Sequence, residues 1–263
     1  MTLRTVSYGG GVQSTALLVL AAQGRIDFST FLFANTGDDS EHPDTLRFVR
    51  EVAMPYAADH GIDLHELRFA FQRGAKKGQE ETLMARLNRG DRSIPFRRFK
   101  DGPPMSRSCT TDFKVRVVAR WLKEHGATAE TPATVALGIS VDEMQRAKPG
   151  VDPRNPGQDR VYPLLELGLH RSDCRKVISD AGLPVPPKSA CFFCPYHDMD
   201  AWKKLRRDTP ELFAASVDLE KRMSQDGRPV FLTRYGKPLD EVIDNTDQLP
   251  GLGDDCDSGV CFT

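Results

Sequence analysis

At 263 residues the chain can bury roughly three quarters of its unfolded surface, and it fits one large α/β domain with an appendage better than two full domains. Its 36 Lys and Arg against 37 Asp and Glu leave a formal net charge of −1, so nothing global demands a nucleic-acid or membrane partner. No apolar run approaches the roughly 20 residues that span a bilayer, and Met1-Thr2-Leu3-Arg4 enters the first strand without a signal-peptide layout, so a cytoplasmic protein with no membrane partner is expected. Six cysteines in a reducing compartment point to thiols, metal ligands or redox catalysts rather than structural disulfides.

The first predicted strand covers Leu3 to Tyr8, and the first helix Thr15 to Gln23, with Gly24 placed to cap it. Between them lies Ser7-Tyr8-Gly9-Gly10-Gly11-Val12-Gln13-Ser14. Three glycines let the backbone turn tightly and aim its N–H groups at one spot, where the helix start adds roughly +0.5 of a charge, so the turn suits a phosphate. It is not a Walker A loop, which ends in Gly-Lys-Ser/Thr, nor the dinucleotide fingerprint, because Ser14 stands at the third glycine. Thr30 to Ala34 is a continuous apolar run, as in a strand covered on both faces. A polar loop from Asn35 to Asp39 follows, then a helix opening near Pro43, which Pro55 is expected to kink or end.

Ile62 to Phe69 and Ala133 to Ile139 complete the predicted strands, the second preceded by a helix from Phe113 to His125. Strands alternating with helices imply a doubly wound, mostly parallel sheet, with ligands at the carboxyl ends of its strands. Gly74 to Met105 reads as a long, basic, irregular segment suited to cover a polyanion, and Pro149 to Asp159 as a loop. From Tyr162 the chain turns helical, and a low-periodicity tail ends in Cys256 and Cys261. The expected divisions are a nucleotide-binding α/β unit over 1–160, a helical appendage over 161–243 and a mobile tail over 244–263. Trp202 and Phe213 read as core rather than base-stacking residues, and the six histidines show no metal-ligand spacing.

With these elements in place, the chain resembles the adenine nucleotide α-hydrolase (PP-loop) superfamily, and within it the phosphoadenosine phosphosulfate reductase branch. The glycine loop lines up with Ser-x-Ser-Gly-Gly-x-Asp-Ser, with Gly9 in place of a serine and Gln13 in place of the aspartate. Asn35-Thr36-Gly37 followed by Pro43-Asp44-Thr45 is similar to the Asp-Thr-Gly and Pro-Glu-Thr elements. Cys109-Thr110-Thr111-Asp112-Phe113-Lys114 is similar to Cys-Cys-x-x-x-Lys, with Thr110 at the second cysteine, and Cys191-Phe192-Phe193-Cys194-Pro195 to the Cys-x-x-Cys-Pro region. The resemblance covers roughly residues 1 to 225.

That resemblance implies an enzyme binding ATP through Ser7, Gly9, Gly10, Gly11, Gln13, Ser14, Thr36, Gly37 and Gly138, and activating an acceptor by adenylation for sulfur transfer. It implies Cys109, Cys191 and Cys194 as ligands of a [4Fe–4S] cluster, with Cys174 near enough in sequence to supply a fourth. Spacing alone does not separate iron–sulfur from a structural zinc. Lys114 and Arg146 are expected to pair with phosphate or sulfate oxygens, Lys188 to lower nearby thiol pKa values, and Cys256 and Cys261 to act as a reactive tail dithiol. A nucleotide-sulfate reductase and a non-catalytic nucleotide or nucleic-acid binding module are the alternatives. The acceptor, nucleic acid or small molecule, stays open, as do a cysteine desulfurase as sulfur donor and a homodimer.

Overall fold

The computed structural model describes residues 2–153, 155–225 and 227–244. Its strands are β1 (Arg4–Tyr8), β2 (Thr30–Asn35), β3 (Asp63–Arg68), β4 (Ala133–Leu137), β5 (Gly150–Asp152) and β6 (Asn155–Val161). They form one sheet in the order β3-β2-β1-β4-β6-β5. Val6 of β1 faces Phe31 of β2 on one side and Ala136 of β4 on the other, and every pair is parallel except β5–β6. The chain winds outward from β1 to β3 and then returns to the far side of β1, so the switch in winding direction falls between β1 and β4. In an open α/β sheet that crevice is where ligands bind.

Helix α1 (Val12–Ala22) is apolar all round from Ala16 to Ala22, and its middle is covered on all sides. Ala16 through Leu20 are fully buried between one sheet face and the Arg171–Asp180 helix, which brings Cys174 and Ile178 into the same core. The Arg171–Asp180 helix therefore packs with the sheet, although the sequence assigned it to the appendage. Pro55 does not end its helix either. Pro43–Phe48 runs through a π turn at Val49–Ala53 into Met54–Asp59, and the Met54 N–H reaches back to the Val49 carbonyl. The proline thus sits where the hydrogen-bond register has already changed. On the other sheet face Val117, Val118 and Leu122 of the Arg116–Glu124 helix pack on Leu32, Ala34 and Val135.

A second core joins the segment expected to be irregular to the C-terminal helices. Leu83, Leu87, Ile94 and Phe96 pack with Phe192, Phe193, Trp202 and Phe213, and the backbones of Arg97 and Phe231 pair at 2.9 and 2.7 Å. Several bases of that segment are consumed in contacts with this core and its surroundings rather than offered to a polyanion. Arg86 lies over the rings of Phe69 and Phe113 at 4.8 and 4.4 Å and pairs with Glu81 and Asp112, while Arg92 donates to the Met223 carbonyl. The expected loop over 149–159 is instead the β5–β6 hairpin, with Gln158 opposite Ala133 and Val161 opposite Ala136. Its prolines and glycines concealed the alternation that pairing requires. No helix among the described residues is long and apolar enough to cross a membrane.

Candidate functional site

The glycine loop is fixed from both ends. Tyr8 at the end of β1 shares a buried hydrogen bond of 3.0 Å with the Thr15 hydroxyl, and the Ser14 hydroxyl turns back on Gly11, donating to its carbonyl at 3.1 Å. Gly10 has φ +75°, a conformation that L side chains rarely adopt, and a Cβ there would lie 3.1 Å from Val49 and 3.2 Å from Thr45. Gly10 therefore serves the turn and faces the Pro43–Ala53 helix. The first intrahelical bond of α1 runs from Thr15 N to Gly11 O, so the N–H groups of Val12, Gln13 and Ser14 precede it. Such a helix start binds anions.

A cavity of about 550 Å³ opens over this loop between the ends of β1 and β4, lined by Ser7, Gly9, Gly11, Gln13 and Ser14. That is within the range of small-molecule sites. Gly138 lets β4 approach: a Cβ there would stand 3.1 Å from Ser14 N and 3.2 Å from the Gln13 carbonyl carbon. One wall is apolar, with Phe33, Ala34, Val118, Val135 and Leu137; another carries Gln158, Arg160 and Tyr162, which alternate along β6 and its end. Among the described residues eight Lys and Arg side chains line the cavity, Lys114 and Arg146 included, against one carboxylate, Glu143. Lys114, Arg116, Arg146 and Lys188 among them ion-pair with Glu41, Asp112, Glu143 and Asp198, and the excess of cations over the lining carboxylate suits an anion.

Against this cavity lies a second of about 40 Å³, lined by Thr36, Cys109, Cys191 and Cys194 and sharing Arg107, Thr110, Lys114 and Tyr196 with the first. Backbone pairing brings the thiols there. Glu41 bridges to Cys191, His42 N donates to the Ala190 carbonyl at 3.1 Å, Phe192 N to the Ser40 carbonyl at 3.2 Å, and Cys194 N closes a turn on Cys191 O. The Ser189 hydroxyl donates to the Gly9 carbonyl at 2.6 Å, fastening this segment to the glycine loop. Cys109 hangs from the Ser93 carbonyl, and the helix it begins passes through a π turn at Thr111–Val115, where fully buried Phe113 anchors it and sets Lys114 between the cavities.

Lys114 Nζ lies 3.4 Å from Oε1 of the buried Glu41, which also accepts from the Thr36 hydroxyl at 3.1 Å; that hydroxyl is 3.4 Å from Cys191 Sγ. Burial pushes the Cys191 thiol well above its ordinary pKa, Glu41 adds to the rise, and Lys114 opposes it. Cys109 is raised by burial and held back by Thr110 and Lys114. The cations beside the thiols are thus Lys114 and, at Cys109, Arg107, rather than Lys188, which ion-pairs with Asp198 at 2.8 Å and lines the larger cavity. Sequence reasoning passed over Glu41, whose only signal is its place after the Thr36-Gly37 loop. It also passed over His197, which meets the Cys191 carbonyl at 3.0 Å and is pushed down to about 4 by burial.

Cys174 corrects the expectation of a fourth ligand. It is fully buried against α1, lines neither cavity, and burial pushes its thiol up to about 12. Gly37, at φ +131° beneath Thr82, lines neither cavity and shapes the loop that carries Thr36. Cys256 and Cys261 lie outside the described residues. Three thiols around one cavity are a soft donor set, suited to iron–sulfur or zinc. Among the described residues no group of three Cys, His, Asp or Glu side chains is drawn together closely enough to hold a metal ion. By donor chemistry the three thiols fit either group, a zinc ion or an iron–sulfur cluster.

No family model and no curated protein matches the chain. Among solved structures it is similar to the U34-tRNA thiolase NcsA from Methanococcus maripaludis with its [4Fe–4S] cluster, at 13% identity and a TM-score of 0.44, over 85% of this chain and 72% of that one. At that score the likeness adds nothing to the site, which stands on its own residues.

Proposed function

We propose that this chain is a PP-loop enzyme that binds ATP over the glycine loop, adenylates an acceptor oxygen and exchanges it for sulfur. One observation carries this reading: a nucleotide-sized cavity over an anion-binding loop shares a wall, including Lys114, with a cavity lined by three cysteines. The apolar wall of Phe33, Ala34, Val118 and Val135 receives the base, and the N–H groups of Val12, Gln13 and Ser14 receive phosphate. The acceptor oxygen attacks the α-phosphorus, the bond to the β-phosphate breaks, and pyrophosphate leaves. A sulfur nucleophile then displaces AMP from the acceptor. Lys114, Arg146 and the loop N–H groups stabilise charge gathering on the phosphates. Cys109, Cys191 and Cys194 would hold a [4Fe–4S] cluster, which when bound supplies the sulfur-carrying centre. The acceptor is a nucleic acid or a small molecule, with a cysteine desulfurase as the matching sulfur donor.

Anaerobic protein, full-length and lacking 255–263, is incubated with ATP and candidate RNA, DNA and small acceptors while pyrophosphate is measured. Acceptor-dependent release that survives the truncation is the expected result. Failure of any adenine nucleotide to bind at millimolar concentration overturns the reading. Tighter binding of phosphoadenosine phosphosulfate than of ATP, with sulfite release abolished by Cys256→Ser or Cys261→Ser, replaces it with a reductase.

A further inference from the structure

Glu143 is the one carboxylate lining a cavity otherwise charged by lysine and arginine among the described residues. It is 8% exposed, and only one of its oxygens is used: Oε2 accepts from Arg146 at 2.7 Å, while Oε1 is buried with no hydrogen-bond partner. The turn that presents it is held on both sides. Glu143 N donates to the Ser140 carbonyl at 2.9 Å, and the neighbouring Asp142 accepts from Arg171 N at 2.6 Å and meets His170 at 3.0 Å. At Glu143 itself the Val141–Arg146 turn breaks from helical geometry, with φ −121° and ψ 18°. The turn that carries the unpartnered oxygen is thus held in position.

A buried carboxylate oxygen without a donor is unfavourable, and in a cavity built for an anion it also repels phosphate. It suits an uncharged, donor-bearing part of the ligand. In a nucleotide whose phosphates occupy the glycine loop, the ribose is that part, and acidic side chains hold ribose hydroxyls in other nucleotide-binding α/β folds. We infer that Glu143 accepts a hydrogen bond through Oε1 from a ribose hydroxyl of the bound nucleotide, making the site selective for ribonucleotides. This rests on the reading of the larger cavity as a nucleotide site. Arg146, which donates to Oε2, lines the same cavity and leaves Oε1 as the oxygen still to be satisfied.

Calorimetric titration of wild type with ATP, 2′-deoxyATP, 3′-deoxyATP and inosine triphosphate tests this without any variant. ATP should bind roughly tenfold or more tighter than one of the deoxy forms, as for a hydrogen bond to a charged group. In Glu143→Ala that ratio should fall to within about twofold, while the ratio of ATP to inosine triphosphate stays as in wild type. Ratios are the readout because removing the carboxylate strengthens binding of every triphosphate together. Equal binding of ATP and both deoxy forms to wild type overturns the inference alone, as does discrimination that persists in Glu143→Ala. A variant effect confined to inosine triphosphate overturns it in favour of the adenine amine. No binding of ATP at all removes the nucleotide reading and this inference with it.

Discussion

Alanine at Gly138 separates the glycine loop's part in ligand binding from its part in folding. The new Cβ would lie 3.1 Å from Ser14 N and 3.2 Å from the Gln13 carbonyl carbon, against about 3.5–4.0 Å for comfortable contact. Neither neighbour can retreat, because Ala16 through Leu20 of α1 are fully buried behind them. The backbone carrying the anion-facing N–H groups must therefore shift by a few tenths of an ångström. Overpacking of this kind costs about 1–3 kcal/mol of stability. Misaligning a single N–H that serves a phosphate removes about 1.5 kcal/mol of binding, roughly tenfold in Kd. Urea melts and ATP calorimetry on one preparation measure both. Gly24→Ala is the control: φ is +67° with open space around the glycine, so it should lower stability by about 1 kcal/mol and leave ATP binding alone. If Gly138→Ala loses stability as expected yet binds ATP within about twofold of wild type, the loop does not hold the phosphates.

Gly10→Ala should lower stability by about 1–2 kcal/mol or more in a urea melt, since its φ of +75° adds to contacts at 3.1 and 3.2 Å. Protein purified without oxygen should be brown, absorbing broadly near about 400 nm; Cys191→Ala or Cys194→Ala should abolish the colour. Cys174→Ala should keep it and lose about 1–2 kcal/mol from the first core, read by absorbance and melting together. Glu220 accepts from the N–H groups of Leu232 at 2.6 Å and Leu239 at 2.7 Å, and burial pushes its pKa up to about 7. With the folded value above the unfolded one, the native state binds the extra proton, so its contribution is full below about pH 4.3 and is lost as pH rises to about 7. Glu220→Gln should flatten that dependence in urea melts from pH 4 to 8, and should cost about 1–3 kcal/mol because an amide has one acceptor for two donors.

The central strands were legible because β2 is apolar throughout, as a strand buried on both faces must be, and the glycine loop because its composition admits few backbone paths. The β5–β6 hairpin was not, since Asn155, Pro156 and Gly157 carry turn chemistry while belonging to a strand. Cys109, Cys191 and Cys194, grouped by local motifs, line one cavity. Cys174 was drawn in by nearness along the chain, which says nothing about the helix face on which a thiol is buried. Glu143 and Glu41 gave no sequence signal beyond following a strand end, because an unpaired carboxylate oxygen is a property of packing. The basic 74–105 segment was misread for a related reason: Arg86, lying over Phe69 and Phe113, looks in sequence like every other base around it.

The Ser189 hydroxyl holds the Gly9 carbonyl while the next residues pair with the loop after β2, so the floor of one cavity and the rim of the other are a single piece of backbone. Thermodynamic reciprocity then applies. By whatever factor occupancy of the thiol cavity alters nucleotide affinity, the nucleotide alters the affinity of the thiol cavity for its occupant. Where that factor differs from one, preparations made in air and without oxygen differ in apparent nucleotide affinity, and dissociation constants are comparable only within one state of the cysteines.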